Sequence, residues 1–329
     1  MRTIEIYDTT LRDGSQGEGV NFSLEDKLAI TRRLDEAGVD YIEGGYPLSN
    51  PKDAQYFARA RELDLRHARI CAFGMTRRRG MTAAEDPGMK ALLDAGTSVV
   101  TIVGKTSAFH VTEVLGVSRE ENLAMIADTV RFLSESGREV FYDAEHFFDG
   151  WKLDPAYALE TIATAARAGA TRIVLCDTNG GTLPHEIERI VSEIAHEISG
   201  SSLGIHCHND TENAVANSLA AVRAGARMIQ GTLNGLGDRC GNANLVSLLP
   251  TLMLKMGYET GVTADGLRRL VHVSRLLDER LNRAPNRHAP YVGEAAFAHK
   301  GGLHVSAVEK DPASYEHVDP ATVGNRRHI

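Results

Sequence analysis

"TIEIYDTTLRDG", residues 3–14, decides between two α/β architectures. Its first half is a short apolar and β-branched run of the kind that forms a strand. An open, doubly wound sheet usually carries a glycine-rich phosphate loop directly after its first strand. Here that place holds Asp8, Thr9, Thr10, Arg12 and Asp13, acidic and basic groups instead. Outward from this stretch the strand signal recurs as "DYIEGG" (from Asp40), "ARICAFG" (Ala68), "SVVTIVG" (Ser98), "EVFYDAE" (Glu139), "RIVLCDT" (Arg172), "LGIHCHN" (Leu203) and "RMIQGTLNG" (Arg227). The step is about 32 residues, the size of one βα unit. Amphipathic segments lie between. "SLEDKLAITRRLDEAG" opens on Ser23 with Asp26 three residues on, a capping-box pattern, and stops at Gly38. "SREENLAMIADTVRFLSESG", "DPAYALETIATAARAG" and "LPHEIERIVSEIAHEISG" repeat the plan. Eight strands alternating with helices predict parallel strands, and eight is the number that closes a barrel.

The expected fold is therefore α/β, a (β/α)8 barrel over residues 1–257 closing with the helix "NLVSLLPTLMLKMG". A short, mainly helical subdomain, 258–329, follows. Its Pro/Gly/His-rich end is too short for a large core of its own and is expected to pack on a barrel, its own or a partner's. With 329 residues, 43% of them apolar, the chain can bury a sizeable core. A net charge of -8 excludes the basic balance of a nucleic-acid binder. No signal-peptide pattern and no run of membrane-span length is present, and the four cysteines are scattered without paired spacing. A cytoplasmic protein without disulfides is expected.

In a barrel of this kind the chemistry lies at the carboxyl ends of the strands. Polar residues gather there: Asp8 to Asp13 after strand one, Glu43 after two, Asp143 and Glu145 after five, Asp177, Thr178 and Asn179 after six, His206 and His208 on seven, and Asn234 after eight. Residues i and i+2 on a strand face the same way, so the two imidazoles share a side and Cys207 points away. Two imidazoles and a carboxylate, with Asp13 the choice, make a divalent-metal site. Core histidines bonded to nearby carboxylates are the competing account, and the acidic rim favours the metal. A second segment, "NGLGDRCGNANL" from Asn234, carries Gly235, Gly237 and Gly241, which allow close backbone approach to a ligand. A helix is expected from about Asn242, its amino end open to an anion.

"DTTLRDGSQGEGVNFSLEDK" and "IHCHNDTENAVANSLAAVRAGARMIQGTLNGLGDRCGNANL" resemble the two signatures of the acyl-CoA-condensing branch of the metallolyase barrels. That branch holds the 2-isopropylmalate, homocitrate and citramalate synthases. "EGGYPLSNPKDAQYF", "FGMTRR", "VGKTSAFHV", "VFYDAEHFFDGWK", "VLCDTNGGT" and "AFAHKGGLHVSAV" are similar to the citramalate-forming subgroup. "YPLSN" departs from the "WPGSN" expected there and changes the wall at the end of strand two.

The resemblance implies a condensation of acetyl-CoA with pyruvate and hydrolysis of the thioester, a step of isoleucine biosynthesis. The alternatives are 2-ketoisovalerate as substrate, or retro-aldol cleavage of a 3-hydroxy acyl-CoA. It implies Asp13, His206 and His208 as ligands of Mn2+, Mg2+ or Zn2+, with Asn242 a fourth. Arg12 is placed on the keto oxygen and Thr178 on the keto-acid carboxylate. Glu145 and His304 become an acid/base pair with Tyr315 near them. Asp143 and Glu43 are expected at the substrate, the alternatives being that Asp143 orients Glu145 and Glu43 orients Arg12. CoA is expected on the loop of Gly235, Gly237, Arg239 and Gly241, with Arg77 to Arg79 either on its phosphates or in a solvated loop. His304 and Tyr315 belong to the tail, which in a homodimer enters the partner's site. A C-terminal regulatory domain of the family lies beyond this sequence.

Overall fold

The structure, a computed structural model, describes residues 3–329. Eight strands, β1 (Glu5–Asp8), β2 (Tyr41–Gly45), β3 (Arg69–Met75), β4 (Val99–Lys105), β5 (Glu139–Glu145), β6 (Arg172–Asp177), β7 (Ser202–Cys207) and β8 (Met228–Gly231), pair in chain order. All are parallel, and β8 pairs with β1 through Ile6 and Ile229, so the sheet closes. Closure follows from the side-chain alternation. Tyr7, Tyr41, Cys71, Val99, Phe141, Val174, Cys176 and Met228 meet inside the barrel. Their neighbours Ile6, Ile42, Ala72 and Val100 belong to the larger cluster outside it. Both faces are thus dry, which is why these strands read as near-continuous apolar runs.

The outer layer is α1 (Leu24–Ala37), α2 (Pro51–Ala60), α3 (Pro87–Asp94), α4 (Arg119–Glu135), α5 (Phe147–Leu153), α6 (Pro155–Ala168), α7 (Pro184–Ile194), α8 (Ala214–Ala224) and α9 (Leu245–Pro250). The capping box at the start of α1 forms: Ser23 Oγ accepts from Asp26 N at 3.1 Å, and Asp26 Oδ2 accepts from Ser23 N at 2.9 Å. Gly38 ends the helix at φ 95°, where a Cβ would lie 2.3 Å from the Gly261 carbonyl oxygen. The last barrel helix is shorter than its sequence predicts. It stops at Pro250 and passes into a π-helical turn, Thr251–Lys255. Proline has no N–H to give to the α-helical ladder.

Two further helices, α10 (Ala264–Arg268) and α11 (Leu270–Arg280), place Leu267, Leu270, Val273 and Leu277 in the same apolar layer as α1. Ile4 N donates to Glu259 O at 2.8 Å across the base of the barrel. Residues 258–281 therefore share the barrel's core. The last helix, α12 (Gly302–Lys310), differs: it buries only Val308 and leaves Leu303 77% exposed. The four cysteines are free, Cys240 alone of them exposed. Among the described residues, no helix is long and apolar enough to cross a membrane.

Candidate active site

At the carboxyl end of the barrel, a cavity of about 430 Å3 is lined by residues from the strand ends and the loops after them. On its wall Asp13, His206 and His208 converge. Asp13 Oδ2 lies 3.2 Å from His206 Nε2 and 3.8 Å from His208 Nε2, and the two Nε2 atoms are 3.3 Å apart. Each step follows from local structure. Cys207, between the two histidines, turns outward into the helix layer. β7 itself ends at Cys207, and His208 is held just beyond it by a bridge to Asn242. Asp13 is set by the turn after β1, where its N–H donates to Thr9 Oγ1 at 3.2 Å.

The charges suit ligation at Asp13 and His208. At His206 burial disfavours the charged ring, but the Asp13 carboxylate outweighs burial and raises the ring toward the charged form. Burial alone would raise Asp13, but the Arg12 guanidinium and the two imidazoles outweigh it and hold its carboxyl well below the ordinary carboxylate range. Burial, and then the neighbouring His206, pushes His208 down to about 4, so its ring is neutral at neutral pH. A neutral Nε2 is what a metal ligand requires. His206 Nδ1 is bonded to Gln230 Oε1 at 2.8 Å, and Gln230 Nε2 donates to Asp143 Oδ1 at 2.9 Å. An Nδ1–H given to Gln230 leaves the Nε2 lone pair turned to Asp13 and His208. The ligand atoms of the three side chains all lie within 4.8 Å of one another, as one cation requires. Asn242 Nδ2 donates to Asp13 Oδ2 at 2.6 Å, while its Oδ1 is buried without a partner. Oxygen and nitrogen of an amide exchange by a half-turn, so Asn242 can serve Asp13 as a donor or offer an oxygen to a cation.

No sequence motif singles out Gln230, although a glutamine inside a buried strand calls for partners. Replacing Gln230 with Leu frees the His206 ring and leaves Asp143 unpaired. Divalent-cation affinity, measured calorimetrically, is expected to fall by about 10- to 100-fold. An affinity within about threefold of the parent would remove Gln230 from the site.

Around the triad, Arg12 donates through Nε to Glu43 Oε1 at 2.6 Å and through a terminal nitrogen to Asp13 Oδ1 at 3.0 Å. Its guanidinium lies 3.8 Å over the Phe73 ring. Glu43 is fully buried beneath it, accepting also from Thr9 Oγ1 at 2.7 Å and from the Tyr7 hydroxyl, and it does not line the cavity. Glu43 thus lies under Arg12, bonded to its Nε, with no surface in the cavity. Asp143 does line the cavity; burial, and then the charge of Glu43, push it up to about 7. Glu145 pairs with Lys105, its register partner on β4. Lys105 lies within the "VGKTSAFHV" stretch, but only the structure shows its pairing with Glu145. Thr178 Oγ1 accepts the His146 N–H at 2.8 Å, which leaves the threonine proton free to donate into the cavity.

The remaining expected residues lie in the loops after the strands and in the tail. The helix expected from about Asn242 begins at Leu245, where Asn244 caps it by accepting from Val246 N at 3.0 Å. The loop glycines answer a packing need. A Cβ on Gly237 would lie 2.0 Å from Asn242 Oδ1, and one on Gly241, at φ 90°, 2.0 Å from the Gly235 carbonyl oxygen. Of that loop, Asp238 and Arg239 line the cavity, and Arg239 is held by both oxygens of Asp210 at 2.8 and 3.0 Å. Arg77 is buried in ion pairs with Asp128 and Glu121 at 2.6 and 3.0 Å, which leaves Arg78 and Arg79 exposed. His304 stacks on Tyr315 with centroids 4.2 Å apart, and neither lines the cavity of its own chain.

Residues 3–274 match the HMGL-like family model. The chain belongs to the HMGL-like family. Residues 291–329 match a second model, the homocitrate synthase post-HMGL domain-like family. Within the HMGL-like family, an (R)-citramalate synthase of Synechocystis is 54% identical over 98% of this chain and 60% of its own length. One from Aquifex aeolicus is 52% identical over 99% of this chain and 62% of its own. The chain thus spans about three fifths of the length of these relatives. The crystal structure of an HMG-CoA lyase from Bacillus subtilis superposes with a TM-score of 0.73 at 19% identity, covering 87% of this chain and 96% of that one. That likeness concerns the fold. The HMGL-like family is metal-dependent, and the donor set at Asp13, His206 and His208 suits that requirement.

Proposed function

We propose that this chain is the catalytic part of an (R)-citramalate synthase. It joins the methyl carbon of acetyl-CoA to the carbonyl carbon of pyruvate, then hydrolyses the thioester to (R)-citramalate and CoA, a reaction of isoleucine biosynthesis. The observation that carries the reading is one cavity holding the Asp13–His206–His208 triad, Arg12, Thr178 and the Glu145–Lys105 pair. The relatives at 52% and 54% identity bear the same activity in their names.

A divalent cation bound by Asp13, His206 and His208, with Asn242 as a fourth ligand, supplies Lewis acidity at a 2-keto acid carbonyl. The chain's residues do the rest. The free face of Arg12 neutralises the charge that gathers on the carbonyl oxygen as the new bond forms. The Thr178 hydroxyl donates to the keto-acid carboxylate. Glu145, oriented by its pairing with Lys105, takes a proton from the acetyl methyl group, directly or through a water. His304 and Tyr315 complete the acid/base machinery from a second copy of the chain, which accounts for the exposed, little-buried α12. The CoA arm lies in a neighbouring cavity of about 520 Å3, with Arg78 and Arg79 at its edge for the phosphates.

The test is thiol release from acetyl-CoA with Mn2+ or Mg2+ across a panel of 2-keto acids. Pyruvate is expected to give the highest kcat/KM, at least about tenfold above 2-ketoisovalerate, because a pocket fitted to a methyl excludes an isopropyl by overlap. Preference for 2-ketoisovalerate would make the chain an isopropylmalate-forming enzyme. Silence with every keto acid would end the condensation reading.

A further inference from the structure

The triad cavity and the neighbouring 520 Å3 cavity share two wall residues, Tyr46 and Met75. The second cavity is lined by apolar side chains, Leu48, Met89, Val117 and Met125 among them, and opens toward Arg78 and Arg79. Tyr46 stands between them on a fixed backbone. Its N–H donates to Asp53 Oδ2 at 2.9 Å. Asp53 is paired with Lys27 at 2.6 Å, and Lys27 Nζ also donates to the Gly44 carbonyl at 2.8 Å; both residues are buried. The preceding residue must be glycine, because at φ 155° a Cβ on Gly45 would lie 2.5 Å from Asp53 Oδ2. The ring is set as firmly, edge-on to Phe73 at 5.8 Å and 84°, the same Phe73 that carries Arg12. The Tyr46 hydroxyl, on a half-buried ring, makes no hydrogen bond to any described residue and is open to solvent.

We propose that Tyr46 is a positioning and specificity residue at the neck between the two cavities. Its hydroxyl hydrogen-bonds the thioester end of the CoA arm, and its ring limits the acyl group that can pass to the keto acid. The proposal rests on the acetyl-CoA condensation argued above. The pinned turn Gly44–Tyr46 gives it a physical basis, since a group that must select by size has to be held by its surroundings.

Tyr46→Phe removes the hydroxyl alone. KM for acetyl-CoA is expected to rise about three- to tenfold, the worth of one net hydrogen bond, with KM for pyruvate unchanged and a smaller change in kcat. Calorimetric affinity for acetyl-CoA falls by the same factor. Tyr46→Ala opens the neck, and the ratio of kcat/KM for propionyl-CoA over acetyl-CoA rises about tenfold. Circular dichroism and urea unfolding of Tyr46→Phe and Tyr46→Ala that match the parent show that the turn still folds. An unchanged acetyl-CoA affinity in Tyr46→Phe, or a rise in KM for pyruvate instead, overturns the proposal. Failure of the parent chain to turn over would refute the condensation itself, whereas the calorimetric comparison still reads Tyr46.

Discussion

Asp13→Asn is expected to abolish divalent-cation binding in calorimetry and to lower thiol release by about three orders of magnitude, while circular dichroism stays that of the parent. The carboxylate is the one anionic ligand of the triad, and it lies between both imidazoles at 3.2 and 3.8 Å. An amide keeps the shape but not the charge, so the cation loses its main electrostatic partner. Lewis acidity of a bound cation contributes several kcal/mol to such a barrier, and about 4 kcal/mol is a thousandfold in rate. Chelator treatment of the parent should match the loss, and added Mn2+ should restore the parent but not the variant. A stripped parent that keeps full turnover would refute the metal reading. The variant is expected to fold, because the amide oxygen can still accept from Arg12 where Oδ1 does now, and Asn242, which meets the other oxygen, can turn by a half-turn to offer its own oxygen to the new NH2.

Glu43→Gln carries the second large effect, on stability and rate together. Glu43 is fully buried and accepts from Arg12, Thr9 and Tyr7. An amide can keep its oxygen toward Arg12 and Thr9 and give its NH2 to the Tyr7 hydroxyl, whose own proton can pass to Thr101, so what the variant loses is the negative charge facing Arg12. Breaking a buried ion pair on one side costs about 3 to 5 kcal/mol. The lower end, about 3 kcal/mol, is expected here, because Arg12 keeps Asp13 as a second counter-ion. Urea unfolding should show the midpoint lowered at an unchanged slope. At temperatures where the variant is folded, kcat should fall about 100-fold, since a displaced Arg12 no longer meets the developing charge. A stability within about 1 kcal/mol of the parent would show that Glu43 does not hold the floor of the site.

Glu43 also illustrates what sequence can and cannot tell. Its position at the end of a strand places it on the catalytic rim, but does not give its side-chain direction. That depends on Tyr7, 36 residues away in the chain, whose hydroxyl is held in turn by Thr101, 94 residues from it. The metal pair is legible because i, i+2 on a strand is a local rule, and Cys207 does turn outward as that rule requires. Asn242 is named by a resemblance; the bridge that brings it to His208 is a tertiary pairing. The helix expected from Asn242 starts three residues later, at Leu245, because Asn244 is the residue whose side chain caps it. The pairings of Gln230 and Lys105 escape a sequence reading because their partners, Asp143 and Glu145, come from other strands through barrel register.

What the sequence determined by itself is the barrel: eight strand-helix repeats whose alternating side chains must bury two faces, and whose caps and stops are short-range. It also determined that imidazoles and carboxylates crowd one rim, since all strands of such a barrel end at the same face. The tertiary structure alone decided which of those groups touch. Closing β8 onto β1 brings Asn242 within 2.6 Å of Asp13, residues 229 apart in the chain. No local pattern encodes that contact, because it depends on the strand register summed around the whole cylinder.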